Sequence, residues 1–121
     1  MNPDIATRLA TYGTLRPGRS NHGQVSGLGG TWIRGTVRGI LYAEGWGAAQ
    51  GYPGLVLAPE GDPVEVDLLQ SDALPDHWAQ LDAFEGEGYV RVTTTVKTAE
   101  GPVDAWIYEL VPAARGESSS A

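Results

Sequence analysis

Residues 74–96, LPDHWAQLDAFEGEGYVRVTTTV, contain the clearest change of secondary structure in this chain. Apolar side chains in the first half recur near the spacing of one helical face: Leu74, Trp78, Leu81 and Phe84. This spacing predicts a helix over residues 75–84, with a proline at the first helical position, where its missing N–H is no loss. Gly86 and Gly88 are typical of a helix end, and the β-branched run after them predicts a strand.

The rest of the chain is divided into short segments by glycine and proline, which occur 17 and 8 times. Such punctuation favours strands and turns over long helices. Five further strands are predicted, at residues 8–12, 36–42, 55–57, 64–69 and 103–110, and a short helix fits residues 22–31. The segments 55–57 and 64–69 flank a Pro-Glu-Gly-Asp turn, which is a pattern typical of a hairpin. The predicted fold class is therefore α+β, with about six short strands that curl into a partial barrel and one clear helix.

Length and composition indicate a single small domain. The 121 residues have room for one core, which we assign to residues 1–112, and the small polar tail at residues 113–121 is expected to be disordered. The net charge of −7 and the scattered basic residues disfavour nucleic acid and acidic membranes as partners. No apolar stretch approaches a membrane span and no targeting signal is visible, so a cytoplasmic location is expected. The sequence does not determine the oligomeric state.

Residue types that carry metal or covalent chemistry are scarce. The chain has no cysteine, which excludes disulfides, thiolate nucleophiles and Cys-ligated metals. The two histidines, His22 and His77, have no local ligand spacing, and we interpret both as surface residues. No phosphate-binding loop or dinucleotide fingerprint is present. We therefore expect neither a metal nor a cofactor.

The loop after the first predicted strand, Tyr12-Gly13-Thr14-Leu15, has two interpretations. A glycine and a small hydroxyl residue after a strand can turn successive backbone N–H groups toward one point, where they bind a carboxylate or phosphate. The alternative, which the local pattern by itself favours, is an ordinary strand-to-loop turn with Tyr12 in the core.

Glu85 also has two interpretations. It stands at the end of the predicted helix, where the negative end of the helix dipole and partial burial would both disfavour the ionised carboxylate. A carboxyl group in such a place is suited to proton transfer near neutral pH. The alternative is a solvated residue at a helix end, and considered alone that alternative is the commoner case. Glu87 is set between two glycines, which suggests a loop position for it.

Five motifs in order along residues 8–110 change this balance, because together they resemble the gamma-glutamylcyclotransferase-like family. The nearest branch is that of the small gamma-glutamylamine cyclotransferases and their avirulence-induced plant relatives. The motifs are Tyr12-Gly13-Thr14-Leu15, Gly39-Ile40-Leu41-Tyr42, Tyr52-Pro53-Gly54-Leu55, Leu81-Asp82-Ala83-Phe84-Glu85-Gly86 with Tyr89 and Arg91, and Ala105-Trp106-Ile107-Tyr108. The Gly/Ala-rich residues 43–51 differ from the compact acidic turn expected of the family at that place.

The resemblance implies a mixed domain around a curled sheet with a central pocket, and the release of 5-oxoproline from a gamma-glutamyl compound. The family's acid–base glutamate matches Glu85. Its glutamyl-binding loop matches the residues from Tyr12 to Leu15. We add Tyr52 and the hydroxyl of Tyr108 as candidate substrate contacts.

Cyclotransferase chemistry suits the residues that this chain contains. The α-amine of the substrate attacks its own γ-carbonyl, and one carboxyl group can both remove a proton and return one to the leaving amine, without a nucleophile, metal or cofactor. The expected partner is thus a small gamma-glutamyl molecule. Two rival hypotheses remain: a non-catalytic or differently catalytic small-molecule binder on the same fold, and an interaction module with an acidic surface.

Overall fold

Six strands and two α-helices form the part of the chain described by the computed structural model, which comprises residues 5–13, 15–18, 22–42 and 54–110. The strands are β1 (Arg8–Thr11), β2 (Thr31–Tyr42), β3 (Gly54–Leu57), β4 (Asp62–Gln70), β5 (Tyr89–Thr98) and β6 (Gly101–Leu110). The helices are α1 (Gly23–Ser26) and α2 (Trp78–Glu85), with short 3-10 turns at Ile5–Thr7, Leu74–Asp76 and Gly86–Gly88. The mixed α+β class is confirmed. The predicted tail at residues 113–121 lies outside the described residues.

The strands form one sheet in the order β3-β2-β4-β1-β6-β5, and β2 pairs in addition with β5. This last pairing joins Gly35 to Thr98 and Thr36 to Lys97, so five strands close on themselves and β3 adds to β2. The β1–β6 pair is parallel and the other pairs are antiparallel. The predicted partial barrel is therefore confirmed.

Alternation along the strands divides the core into two clusters, because successive side chains point to opposite faces of a sheet. One face packs inside the barrel, where the cluster includes Ala10, Val37, Leu55, Val66, Leu68, Val96 and Ile107. The opposite face packs against the helices, where the cluster includes Leu9, Leu15, Val25, Leu69, Leu74, Trp78, Leu81 and Tyr108. The apolar stripe of α2 thus covers the outside of the barrel rather than filling it.

The hairpin predicted for residues 55–57 and 64–69 is wrong. Both strands pair antiparallel with β2: β3 with Gly39–Tyr42 and β4 with residues 31–39. A strand has two edges at which other strands can pair. Here the long β2 strand lies between β3 and β4 and pairs with both. β2 begins at Thr31, five positions before the predicted start at 36, directly after Gly30, whose φ of +102° suits glycine.

The predicted helix at residues 75–84 is present but divided. A 3-10 turn at Leu74–Asp76 contains the proline, and the α-helix proper begins at Trp78. It ends at Glu85, and Gly86 follows with φ +77°, a conformation that L-residues with side chains rarely adopt. The predicted short helix within residues 22–31 is confirmed at Gly23–Ser26.

Candidate active site

Glu85 is the last residue of α2, and the structure places its side chain half-buried. Burial disfavours the charged carboxylate and, together with the negative charge of Asp82, raises the pKa of Glu85 from 4.5 to about 7. The Gly86 amide closes the helix by donating to the Asp82 carbonyl. Glu85 is therefore a carboxyl group that can both hold and release a proton near neutral pH.

Tyr12 follows β1 directly and connects three strands through its hydroxyl group. The hydroxyl donates to the Tyr108 carbonyl at 2.8 Å and accepts from the Leu55 amide at 3.2 Å. Burial raises the pKa of Tyr12 far above its ordinary value, and the nearby Tyr89 and Glu85 add to that effect. The phenol of Tyr12 therefore remains neutral near pH 7.

Tyr108, on β6, faces the helix side of the sheet. Its hydroxyl donates to Asp82 Oδ1 at 2.7 Å, and burial raises its pKa, with contributions from Asp82 and Glu85. Arg91 donates to the same carboxylate through Nε at 2.8 Å and Nη2 at 3.1 Å. Asp82, one helical turn before Glu85, is therefore already paired, and the Tyr108 phenol that donates to it is neutral.

The described residues of the loop after β1 are held by backbone and side-chain hydrogen bonds. The Arg16 amide donates to the Gly13 carbonyl at 3.2 Å, and the buried Leu15 offers its carbonyl to His22 Nδ1 at 2.9 Å. Arg16 Nε donates to Asp67 Oδ2 at 2.8 Å. Thr14 and Tyr52, both candidate substrate contacts, lie outside the described residues.

An open groove of about 750 Å³ runs beside Tyr12. Its lining also includes Arg16, Ile40, Leu41, Glu60 and Glu65. Glu85 lies outside this lining, so the groove joins the candidate site only through Tyr12. We place the chemistry at Glu85 rather than in the groove, because burial raises the pKa of Glu85 to about 7.

The two histidines are not surface residues, contrary to the interpretation from sequence. His22 and His77 are half-buried, and His77 Nε2 lies 2.9 Å from the Gln24 carbonyl. His22 also contacts the Trp32 ring, with centroids 5.3 Å apart. Both rings thus connect α1 to its surroundings. Within the described ranges, no three His, Asp or Glu side chains are grouped so that they could hold a metal ion.

Sequence reasoning did not assign a role to Asp82 and Arg91 beyond their place in a motif. They stand nine positions apart, one on α2 and one on β5, so no local pattern predicts their ion pair. The one signal was charge: an acidic residue one helical turn before Glu85 and a basic residue on the following strand. Arg19, in the loop after β1, lies outside the described residues.

Residues 9–120 match the family described as gamma-glutamyl cyclotransferase, AIG2-like. The chain belongs to this family. Membership confirms the resemblance carried by the motifs. No curated protein matches the chain in sequence. None of the helices in the described ranges has the length and apolar character needed to cross a membrane.

Solved structures share the fold. YkqA from Bacillus subtilis is 27% identical, with a TM-score of 0.69 over 86% of this chain and 35% of its own. An AIG2-like protein from Mus musculus is 22% identical, with a TM-score of 0.63 over 89% of this chain and 81% of its own. Allophanate hydrolase from Kluyveromyces lactis is 17% identical, with a TM-score of 0.64 over 93% of this chain. The chain spans about a third of YkqA and 18% of the allophanate hydrolase.

Proposed function

We propose that this protein is a cyclotransferase that releases 5-oxoproline from a gamma-glutamyl amine or amino acid. The observation that carries the proposal is Glu85: a half-buried carboxyl group at a helix end, with a pKa of about 7, in a chain of this family. A group that titrates near the working pH is the most effective general acid–base catalyst.

The reaction moves two protons from the α-nitrogen of the substrate to the nitrogen of the leaving amine. The substrate's α-amino group has a pKa of roughly 8 and is mostly protonated at neutral pH. Glu85, in its ionised form, accepts a proton from this ammonium group, and the freed amine attacks the γ-carbonyl carbon. The new C–N bond closes the five-membered ring. The old C–N bond breaks as Glu85 returns the proton to the leaving nitrogen. Glu85 then takes the second proton from the ring nitrogen, which becomes the lactam N–H, and passes it to the released amine, which leaves as an ammonium ion.

The similarity of the two pKa values matters for this cycle. With a pKa of about 7, Glu85 differs from the substrate ammonium by about one unit, so transfer in either direction is nearly balanced. A carboxyl group with the ordinary value of 4.5 would be a much weaker base. Burial of Glu85 is therefore the feature of the fold that prepares it for both steps.

Substrate recognition is assigned to the loop that follows β1. The protein has a net charge of −7, and a glutamyl group carries a carboxylate, so local positive potential is needed. The amides of Gly13, Thr14 and Leu15 would supply it without a cationic side chain. Arg16, the nearest described cation, is already paired with Asp67. Tyr52 and Tyr108 are the further candidates for contact with the substrate.

A second candidate function, a small-molecule binder without this chemistry, is favoured by one observation. The groove of about 750 Å³ beside Tyr12 is not lined by Glu85, so a ligand could occupy it without meeting the carboxyl group. Turnover distinguishes the two functions, because a binder would retain gamma-glutamyl compounds unchanged.

The test is mass-spectrometric detection of 5-oxoproline after incubation with a panel of gamma-glutamyl amines and amino acids. We expect Glu85→Gln to lower turnover by roughly a hundred- to ten-thousand-fold, because general acid–base catalysis is lost. Glu100→Gln is the matched control, since Glu100 is an exposed carboxyl group in the β5–β6 turn. Wild-type kcat in Glu85→Gln would overturn the role of Glu85, and unchanged substrates throughout the panel would favour the binder.

A further inference from the structure

Asp82 lies three positions before Glu85, on the same face of α2 and one helical turn away. Its carboxylate receives three hydrogen bonds. Arg91 donates two, from Nε at 2.8 Å and Nη2 at 3.1 Å, and the Tyr108 hydroxyl donates the third at 2.7 Å. A two-pronged guanidinium contact fixes a carboxylate in orientation as well as position. The side chain is 45% exposed, yet its geometry is determined from both neighbouring strands.

The partner of Asp82 is itself held in place. The guanidinium carbon of Arg91 lies 4.4 Å from the centroid of the Trp78 ring and 4.6 Å from that of Trp106. Trp78 is buried, and its indole N–H donates to the Ala6 carbonyl at 2.8 Å. The two indole rings thus restrict the position of the Arg91 guanidinium. Asp82, which accepts hydrogen bonds from both Arg91 and Tyr108, is restricted in turn.

The charge environment of Glu85 is dominated by Asp82. Hydrogen bonding from Arg91 holds the pKa of Asp82 below its ordinary value, so Asp82 is ionised at neutral pH. The phenols of Tyr12 and Tyr108 are neutral there. The titratable groups on the elements around Glu85 include Tyr12 after β1, Asp82 on α2, Tyr89 and Arg91 on β5, and Tyr108 and Glu109 on β6. Among these, Asp82 is the neighbour that acts on Glu85 by charge.

We propose that Asp82 is a positioning residue for Glu85: its charge, fixed by Arg91 and Tyr108, sets how readily Glu85 takes up and releases a proton. The inference rests on the proposed function for its catalytic meaning. The electrostatic coupling between the carboxyl groups of Asp82 and Glu85 can be measured without any substrate. Asp82 does not contact the reacting atoms in this scheme and acts only through Glu85.

The first test is the titration of Glu85 by NMR of side-chain carboxyl carbons in the full chain, with Glu85→Gln used to assign the signal. Asp82→Asn removes the charge and nearly preserves the shape. We expect the midpoint of the Glu85 titration to fall by about half a unit to one unit, the size of a partly screened charge one helical turn away. An unchanged midpoint in folded Asp82→Asn would overturn the inference.

The second test changes the same coupling in the opposite direction. Arg91→Gln removes the cation that partly offsets the charge of Asp82, so the midpoint for Glu85 should rise. Loss of packing alone, which both variants share, would move the two midpoints together or leave both unmoved. Opposite shifts therefore support the electrostatic role, and parallel shifts contradict it. If Arg91→Gln fails to fold, the Asp82→Asn result decides by itself.

Kinetics separate this inference from the proposed function. With an active substrate, the acidic limb of the pH profile of kcat/KM should move with the NMR midpoint, downward in Asp82→Asn. If the Glu85 midpoint shifts in the variants but no substrate is turned over, the coupling between Asp82 and Glu85 is correct and the cyclotransferase proposal is wrong. If turnover depends on Glu85 but Asp82→Asn moves neither the NMR midpoint nor the acidic limb, the cyclotransferase proposal stands and the role of Asp82 is wrong.

Discussion

Glu85 makes the stability of the fold depend on pH, because its pKa is about 7 in the folded chain against an ordinary value of 4.5. As the pH rises through this window, the unfolded chain releases the proton first and the folded chain retains it. The folded state then binds more protons, so the free energy of unfolding falls with rising pH. Glu85→Gln cannot ionise. We expect it to be more stable than the wild type at pH 8 by about 1–3 kcal/mol, with the difference vanishing near pH 4.5.

Urea unfolding at both pH values measures this difference. Glu100→Gln, at an exposed position in the β5–β6 turn, serves as the control variant. If the stability difference between Glu85→Gln and the wild type were the same at both pH values, Glu85 would titrate alike in the folded and unfolded chains. Its burial would then have no effect on its protonation, and the argument for it as an acid–base group would lose its physical basis.

We assign substrate recognition to the loop between β1 and α1. In this proposal, the backbone amides of the loop bind the carboxylate of the substrate. Valine at position 13 would restrict the backbone and crowd the approach of a carboxylate. We expect Gly13→Val to raise KM by roughly tenfold or more, the equivalent of one lost hydrogen bond to a charged group. Arg16→Ala should raise KM less, because Arg16 Nε already bonds to Asp67, which retains Arg34 at 2.8 Å when Arg16 is removed.

Steady-state kinetics on an active gamma-glutamyl compound provide the measurement, and circular dichroism checks that each variant folds. Gly27→Ala is a matched glycine control, since it lies outside this loop and an added Cβ there meets nothing within 4 Å. A much larger rise in KM for Arg16→Ala than for Gly13→Val would indicate recognition by a side-chain cation. The backbone site would then be excluded.

Closure of the barrel depends on the contact between β2 and β5, which is made at Gly35. An added Cβ at Gly35 would lie 2.5 Å from Val96 Cγ1 and 2.8 Å from the Lys97 carbonyl oxygen. Val96 is fully buried and cannot move outward without disturbing the interior. We expect Gly35→Ala to destabilise the fold by about 1–3 kcal/mol through overpacking.

Thermal unfolding of Gly35→Ala beside Gly23→Ala tests this expectation. Gly23 opens α1, and an added Cβ there meets nothing within 4 Å, so its substitution should leave the melting temperature nearly unchanged. Equal melting temperatures for the two variants would mean that β2 and β5 separate freely, and that the closed sheet is not required for stability.

Much of this architecture could be predicted from sequence, wherever neighbours along the chain decide the structure. The approximate positions of the strands, the burial of Leu74, Trp78 and Leu81 and the end of α2 before Gly86 follow from local periodicity and glycine conformation, whereas Phe84 of the predicted stripe is exposed. Glu85 was accordingly identified at a helix end. Its environment was expected from the helix dipole and partial burial, and the family followed from motifs in register. These features can be predicted from sequence because each of them, or each motif behind it, involves only a few consecutive residues.

The tertiary structure decided whatever depends on residues that are distant in sequence. Tyr12 bonds to the Tyr108 carbonyl across 96 positions, and Arg91 meets Asp82 from another element. β3 joins β2 instead of forming the local hairpin, because the closed barrel brings the long β2 strand to it and buries Leu55. A sequence pattern records which residues can be buried or charged. The choice of partner depends on the free energy of the whole packed arrangement, which no single segment contains.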